Sequence, residues 1–109
     1  MNILLTGASG QLGRELLPLL QRLGPVTGLD RAVVAGDSTT VQQDLANLDQ
    51  LESLLNRLRP DLVVNAAAYT AVDRAEEEPD RAAAVNHLAP AVLAQEALRH
   101  HAALVHFST

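Results

Sequence analysis

Three glycines, Gly7, Gly10 and Gly13 in the stretch TGASGQLG, follow the apolar residues Ile3 to Leu5 and lead into Arg14, Glu15, Leu16 and Leu17. No other stretch limits the fold so sharply. A glycine turn between a short apolar strand and an amphipathic helix permits a tight reversal, bares backbone N–H groups and lets the helix lie close to the strand. Such turns belong to α/β sheets, at the carboxyl end of the first strand. Two readings stay open here. One is a phosphate cradle at a helix N-terminus; the other is a structural turn and nothing more.

The rest of the chain repeats the alternation. Asn2 to Thr6 reads as a buried strand, and from Gln11 the period becomes helical. Leu12, Leu16, Leu20 and Leu23 form the apolar stripe of that helix, and Gly24-Pro25 stops it. Pro18 lies inside it and predicts a kink, because it cannot donate to the carbonyl of Arg14. Val26 to Leu29 is a second strand and Thr40 to Gln43 a third. Asn47, with Gln50 three residues on, caps a helix whose stripe is Leu48, Leu51, Leu55 and Leu58. Asp61 to Asn65 is a fourth strand, Asp80 to His100 a long alanine-rich helix, and Ala103 to Phe107 a fifth strand. Continuous apolar strands alternating with helices predict an α/β fold, a doubly wound parallel sheet covered on both faces. The expectation is a single domain, residues 1–109, that stops after its fifth strand.

Composition narrows the function. The chain has 109 residues, a net charge of −5, two aromatic residues and no basic run, which argues against a nucleic-acid surface. With no cysteine, thiol nucleophiles, disulfides and zinc–thiolate sites are excluded. No apolar run reaches membrane-spanning length, and the N-terminus enters a strand without the basic region of a secretory signal, so a cytoplasmic location is expected. All eight basic residues are arginine. Chemistry that requires a lysine cannot be completed by these residues.

The strand ends answer the glycines. Asp30 comes 17 residues after Gly13, where a carboxylate can accept both hydroxyls of a ribose. Asp44 and Leu45, after the third strand, offer adenine a polar and an apolar edge. Asn65, Ala66, Ala67 and Ala68 put small side chains where a cofactor passes close to the backbone. Four strand ends in succession point to one dinucleotide at the carboxyl edge of the sheet.

The spacing G-x-x-G-x-x-G resembles the fingerprint of the extended short-chain dehydrogenase/reductases. The segments NAAAYTAVDRAEEEP (65–79), VN (85–86) and VHFST (105–109) are similar to the dTDP-4-dehydrorhamnose reductase family, across the whole chain. The resemblance implies a Rossmann-type, NAD(P)-binding fold of which this is the N-terminal portion, with the substrate domain and later strands absent. It implies that Gly7, Gly10, Gln11, Leu12 and Gly13 hold the pyrophosphate of NADPH, with NADH tolerated. Asp30 and Arg31 would then meet the adenosine ribose, Asp44 and Leu45 the adenine, and Ala66, Ala67, Ala68, Tyr69 and Thr70 the path toward the nicotinamide. Asp30 would repel a 2′-phosphate, while Arg31 beside it could pair with one.

The implied reaction reduces the 4-keto group of a dTDP-sugar by hydride transfer. Thr109 matches the hydroxyl that bonds the keto oxygen. The Tyr-x-x-x-Lys pair that supplies the proton has no counterpart here, since Tyr69 is the only tyrosine and lysine is absent. The chain alone is therefore expected to bind coenzyme without turnover. Asn86 matches a helix asparagine that supports a water near the missing lysine, and Pro90 leaves the Asn86 carbonyl without its helical donor. The resemblance further implies a homodimer in the complete protein and a magnesium ion at a subunit interface through Glu15. No metal site is assigned within the chain: His100, His101 and His106 read as surface or core-edge residues. Two alternatives remain. One is a sugar-nucleotide epimerase or dehydratase of the same superfamily; the other is a non-catalytic NADP-binding subunit like that of methionine adenosyltransferase.

Overall fold

A computed structural model describes residues 1–31, 40–67 and 79–107, apart from the side chains of Arg81, Ala82 and Asn86. The strands are β1 (Ile3–Thr6), β2 (Val26–Asp30), β3 (Thr40–Gln42), β4 (Leu62–Asn65) and β5 (Ala103–His106). They form one sheet in the order β3-β2-β1-β4-β5, with every pair parallel. The winding therefore reverses between β1 and β4, and their carboxyl ends flank the crevice where doubly wound sheets bind ligands. The helices are α1 (Gln11–Gln21), α2 (Leu48–Leu58), α3 (Pro79–Ala83) and α4 (Ala89–Arg99), the last two joined by a π-helical turn over Ala84–Leu88.

Alternation along the strands builds two cores. Ile3, Leu5 and Val64 pack with Ala8 and with Leu20 of α1 on one face. Leu4, Leu29 and Val63 pack with Leu51, Leu54 and Leu55 of α2 and with Ala89 and Leu93 of α4 on the other. Each fully buried leucine stabilises the fold by about 1.5–3 kcal/mol relative to exposure. Asn47 caps α2 as its spacing predicts, its side chain accepting the Gln50 N–H at 3.2 Å.

The structure corrects three expectations. The buried side of α1 is Gly13, Leu16, Leu17 and Leu20, while Leu12 and Leu23 are 36% and 61% exposed. Gly13 sets that rotation, because a Cβ there would lie 2.0 Å from the Gly7 carbonyl oxygen, so only glycine can face the strand. Pro18 sits on the exposed side of α1, where water can satisfy the carbonyl it leaves unpaired.

The long alanine-rich helix is also not uniform. In its π turn the Ala89 N–H reaches back to the Ala84 carbonyl, five residues away. α4 begins its own ladder at the Leu88 carbonyl, so Val85, Asn86 and His87 have one helical donor between them, Ala91, because Pro90 has no N–H. Finally, β5 is not covered on both faces by the described residues. Its Ala103, Val105 and His106 are exposed and only Leu104 is half-buried.

At the opposite end of the sheet, α2 and α4 are fastened by polar side chains. His100 Nε2 lies 2.8 Å from Asn56 Oδ1 and 3.3 Å from Oε2 of the buried Glu96. No described helix is long and apolar enough to cross a membrane, and no described cluster of His, Asp and Glu side chains could hold a metal ion.

Candidate coenzyme cleft

β1 delivers its chain end into the turn at Gly7, which has φ +70°. A Cβ there would fall 2.7 Å from the Ala67 backbone nitrogen, so the turn needs glycine both for its left-handed backbone and for its contact with β4. Gly7 N–H and Ala8 N–H both donate to the Leu29 carbonyl, at 2.8 and 3.3 Å, and bind the turn to β2. Ala8 fits there because β2 has Gly28 beneath it, where a Cβ would meet Ala8 Cβ at 2.8 Å.

Gly10 differs from its two neighbours in the motif. A Cβ on it would lie 3.4 Å from the Gly7 carbonyl oxygen, an ordinary contact, and its φ is −75°. Nothing within the described chain requires glycine at that position. It is the N-cap of α1, and the helix has neither a side-chain cap nor an acidic residue in its first turn. The positive end of the helix is thus left for another anion.

Asp30, at the end of β2, is held in the cleft wall by two backbone donors. Its Oδ2 accepts the Ser9 N–H at 2.8 Å and its Oδ1 accepts the Arg31 N–H at 2.7 Å. Each carboxylate oxygen retains acceptor capacity after one such bond. Asp44 is ordered in the same manner, its Oδ1 accepting the Ala46 N–H at 2.9 Å. Gln43 Nε2 donates to the Asp44 carbonyl at 3.0 Å.

These groups line one cleft of about 330 Å³ at the crevice between the halves of the sheet. It brings together Gly7, Gly10, Asp30, Arg31, Asp44, Leu45, Ala66 and Ala67. Gln11 and Leu12, exposed at the start of α1, and Gly13, buried beneath the turn, are outside its lining. Ala68, Tyr69, Thr70 and Thr109 lie outside the described residues, and Asn86 falls on the backbone of the π turn. Sequence reasoning missed Ser9, Gln43 and Val85, which also line the cleft. Ser9 and Gln43 adjoin residues it singled out, whereas Val85 arrives through the π turn and carries no local signal.

The sequence matches the family described as RmlD substrate binding domain over residues 1–109. The chain belongs to that family. A dTDP-4-dehydrorhamnose reductase from Aggregatibacter actinomycetemcomitans is 41% identical over 98% of this chain. The chain spans 34% of that relative's length, about a third, as it does for the Shigella flexneri enzyme of the same name. Among solved structures, a hypothetical dTDP-4-dehydrorhamnose reductase from Sulfolobus tokodaii superposes with a TM-score of 0.85 at 34% identity, covering 99% of this chain and 39% of its own. A dTDP-4-dehydrorhamnose reductase from Bacillus anthracis, solved in complex with NADP, superposes with a TM-score of 0.74 at 29% identity, covering 94% of this chain and 34% of its own. This member of the RmlD substrate-binding-domain family thus shares its fold with a reductase that was solved with NADP.

Proposed function

We propose that this chain is the coenzyme-binding part of an NADPH-dependent reductase that converts dTDP-4-dehydro-L-rhamnose to dTDP-L-rhamnose. The observation that carries the reading is the crevice at the β1–β4 reversal, where Gly7, Gly10 and a tethered Asp30 face one cleft. Gly10 strengthens it, since its lack of a side chain answers no neighbour in the described chain and suits a phosphate approaching the backbone. The known NADP complex of the Bacillus anthracis relative supports the coenzyme class.

In this reading the backbone at Gly7 and Gly10 and the start of α1 bind the pyrophosphate. Asp30 takes a ribose hydroxyl, and Arg31 pairs with the 2′-phosphate, giving NADPH preference while NADH is tolerated. Asp44 and Leu45 orient the adenine, and Ala66 and Ala67 leave room for the path toward the nicotinamide. When bound, NADPH supplies the hydride. Thr109 hydrogen-bonds the keto oxygen and polarises it, while the proton comes from a tyrosine that these 109 residues do not contain.

Two measurements test the proposal. Titration with NADPH, followed by nucleotide fluorescence, should show binding by the 109-residue chain, with Arg31→Ala weakening NADPH about tenfold and NADH much less. The full-length protein should reduce the 4-keto sugar nucleotide and the 109-residue chain should not. Turnover by the short chain, or NADH bound tenfold more tightly than NADPH, contradicts the reading.

A further inference from the structure

A row of polar side chains crosses the sheet at the level of the cleft. Thr6, Asn65 and His106 are register partners on β1, β4 and β5. Thr6 and Asn65 are buried, at 0% and 1% exposure, while His106 is exposed. The Ala67 N–H, which can only donate, donates to Asn65 Oδ1 at 3.3 Å, and Thr6 Oγ1–H donates to the same oxygen. These two donors fix the orientation of the amide. Its Nδ2 then faces His106 Nδ1 at 2.8 Å, and an amide NH₂ can only donate. His106 Nδ1 is therefore the acceptor, and the neutral ring carries its proton on Nε2.

Each member of the row stands just before a segment of the proposed machinery. Thr6 precedes the Gly7 turn, Asn65 precedes Ala66 and Ala67, and His106 stands three residues before Thr109. β5 is also the most thinly packed strand of the described sheet, exposed at three of its four positions. The geometry points to Asn65 and His106 as positioning residues that hold the end of β5, three residues before Thr109 in the sequence, level with the turn at Gly7. The inference rests on the reductase reading above. If β5 shifts along β4, the Asn65 Nδ2 loses its acceptor while the turn and the cleft walls stay in place.

The test uses the full-length protein with His106→Phe, which keeps a ring but loses the acceptor, and His106→Asn, whose Oδ1 can take the place of Nδ1. Thermal unfolding of both variants beside the wild type separates a loss of folding from a loss of turnover. His106→Phe should lower kcat for the 4-keto sugar nucleotide about tenfold while the NADPH Kd stays within about twofold, and His106→Asn should restore most of the loss. An unchanged kcat in His106→Phe, or equal losses in kcat and NADPH affinity, overturns the inference. Nitrogen-15 NMR of the histidine rings adds a readout independent of turnover: His106 should carry its proton on Nε2, and a proton on Nδ1 overturns the pairing. A wild-type protein that binds NADPH but leaves the keto sugar unreduced sinks the reductase reading instead, and the NMR result still decides whether Asn65 fixes the ring.

Discussion

The three glycines of one motif answer three different demands, and substitution should separate them. Gly13→Ala places a methyl group 2.0 Å from the Gly7 carbonyl oxygen, so α1 must move away from the strand. A loss of about 1–3 kcal/mol is expected, read as a lower midpoint in thermal or urea unfolding. Gly10→Ala meets only an ordinary contact at 3.4 Å and should cost no more than about 1 kcal/mol, the difference between a good and a poor N-cap. Its effect should appear in binding instead, as NADPH affinity reduced about tenfold or more. Equal stability losses in the two variants would contradict this division. Sequence alone placed Asp30, Asp44 and Leu45 at the cleft because strand ends are legible from apolar runs. It could not show that Asp30 is tethered through the Ser9 N–H, since that bond joins residues 21 apart in the chain.

Elements read well where a period or a cap carried them. The strand positions agree with the apolar runs to within a residue or so, and Asn47 marked the start of α2 through a local hydrogen bond. Leu54 was missed from the stripe of α2, and Leu12 was wrongly assigned to that of α1, because the phase of a helix is set by its closest contact rather than by its largest residues. The π turn was invisible as a period. Its one trace in the sequence was Pro90, whose missing N–H leaves the carbonyls around Val85 and Asn86 short of donors. Pro90→Ala supplies that donor. It should raise the midpoint of thermal unfolding by about 4–8 °C, corresponding to about 1 kcal/mol in a domain of this size. In the full-length protein it should lower turnover more than NADPH affinity, if the released carbonyls hold a water for proton transfer. A variant with equal losses in both would rule that role out. The Asn56–His100–Glu96 fastening was equally hidden, because it joins two helices 44 residues apart and no motif announces it.

At the scale of the molecule, the doubly wound parallel sheet was legible from the alternating elements, whereas the strand order β3-β2-β1-β4-β5 was not, because the same alternation fits more than one doubly wound order. That the sheet ends at β5 as an unpaired, aggregation-prone edge was legible too, but the exposure of that strand's faces was not, because a strand composed of Ala, Leu, Val and His reads as buried wherever it lies. With Val105 and Phe107 at 43% and 39% exposure on that strand and just past it, the 109-residue chain should self-associate as its concentration rises. Sedimentation velocity should show this, and Val105→Lys should reduce it; a chain that stays monomeric throughout would contradict it. The parallel sheet also gives the molecule a polarity that can be put to use. Every strand runs from one rim to the other, so Met1 sits at the rim opposite the cleft, its carbonyl against Gly24. A biosensor surface or a fluorescent reporter attached at that terminus would leave the cleft facing open solution.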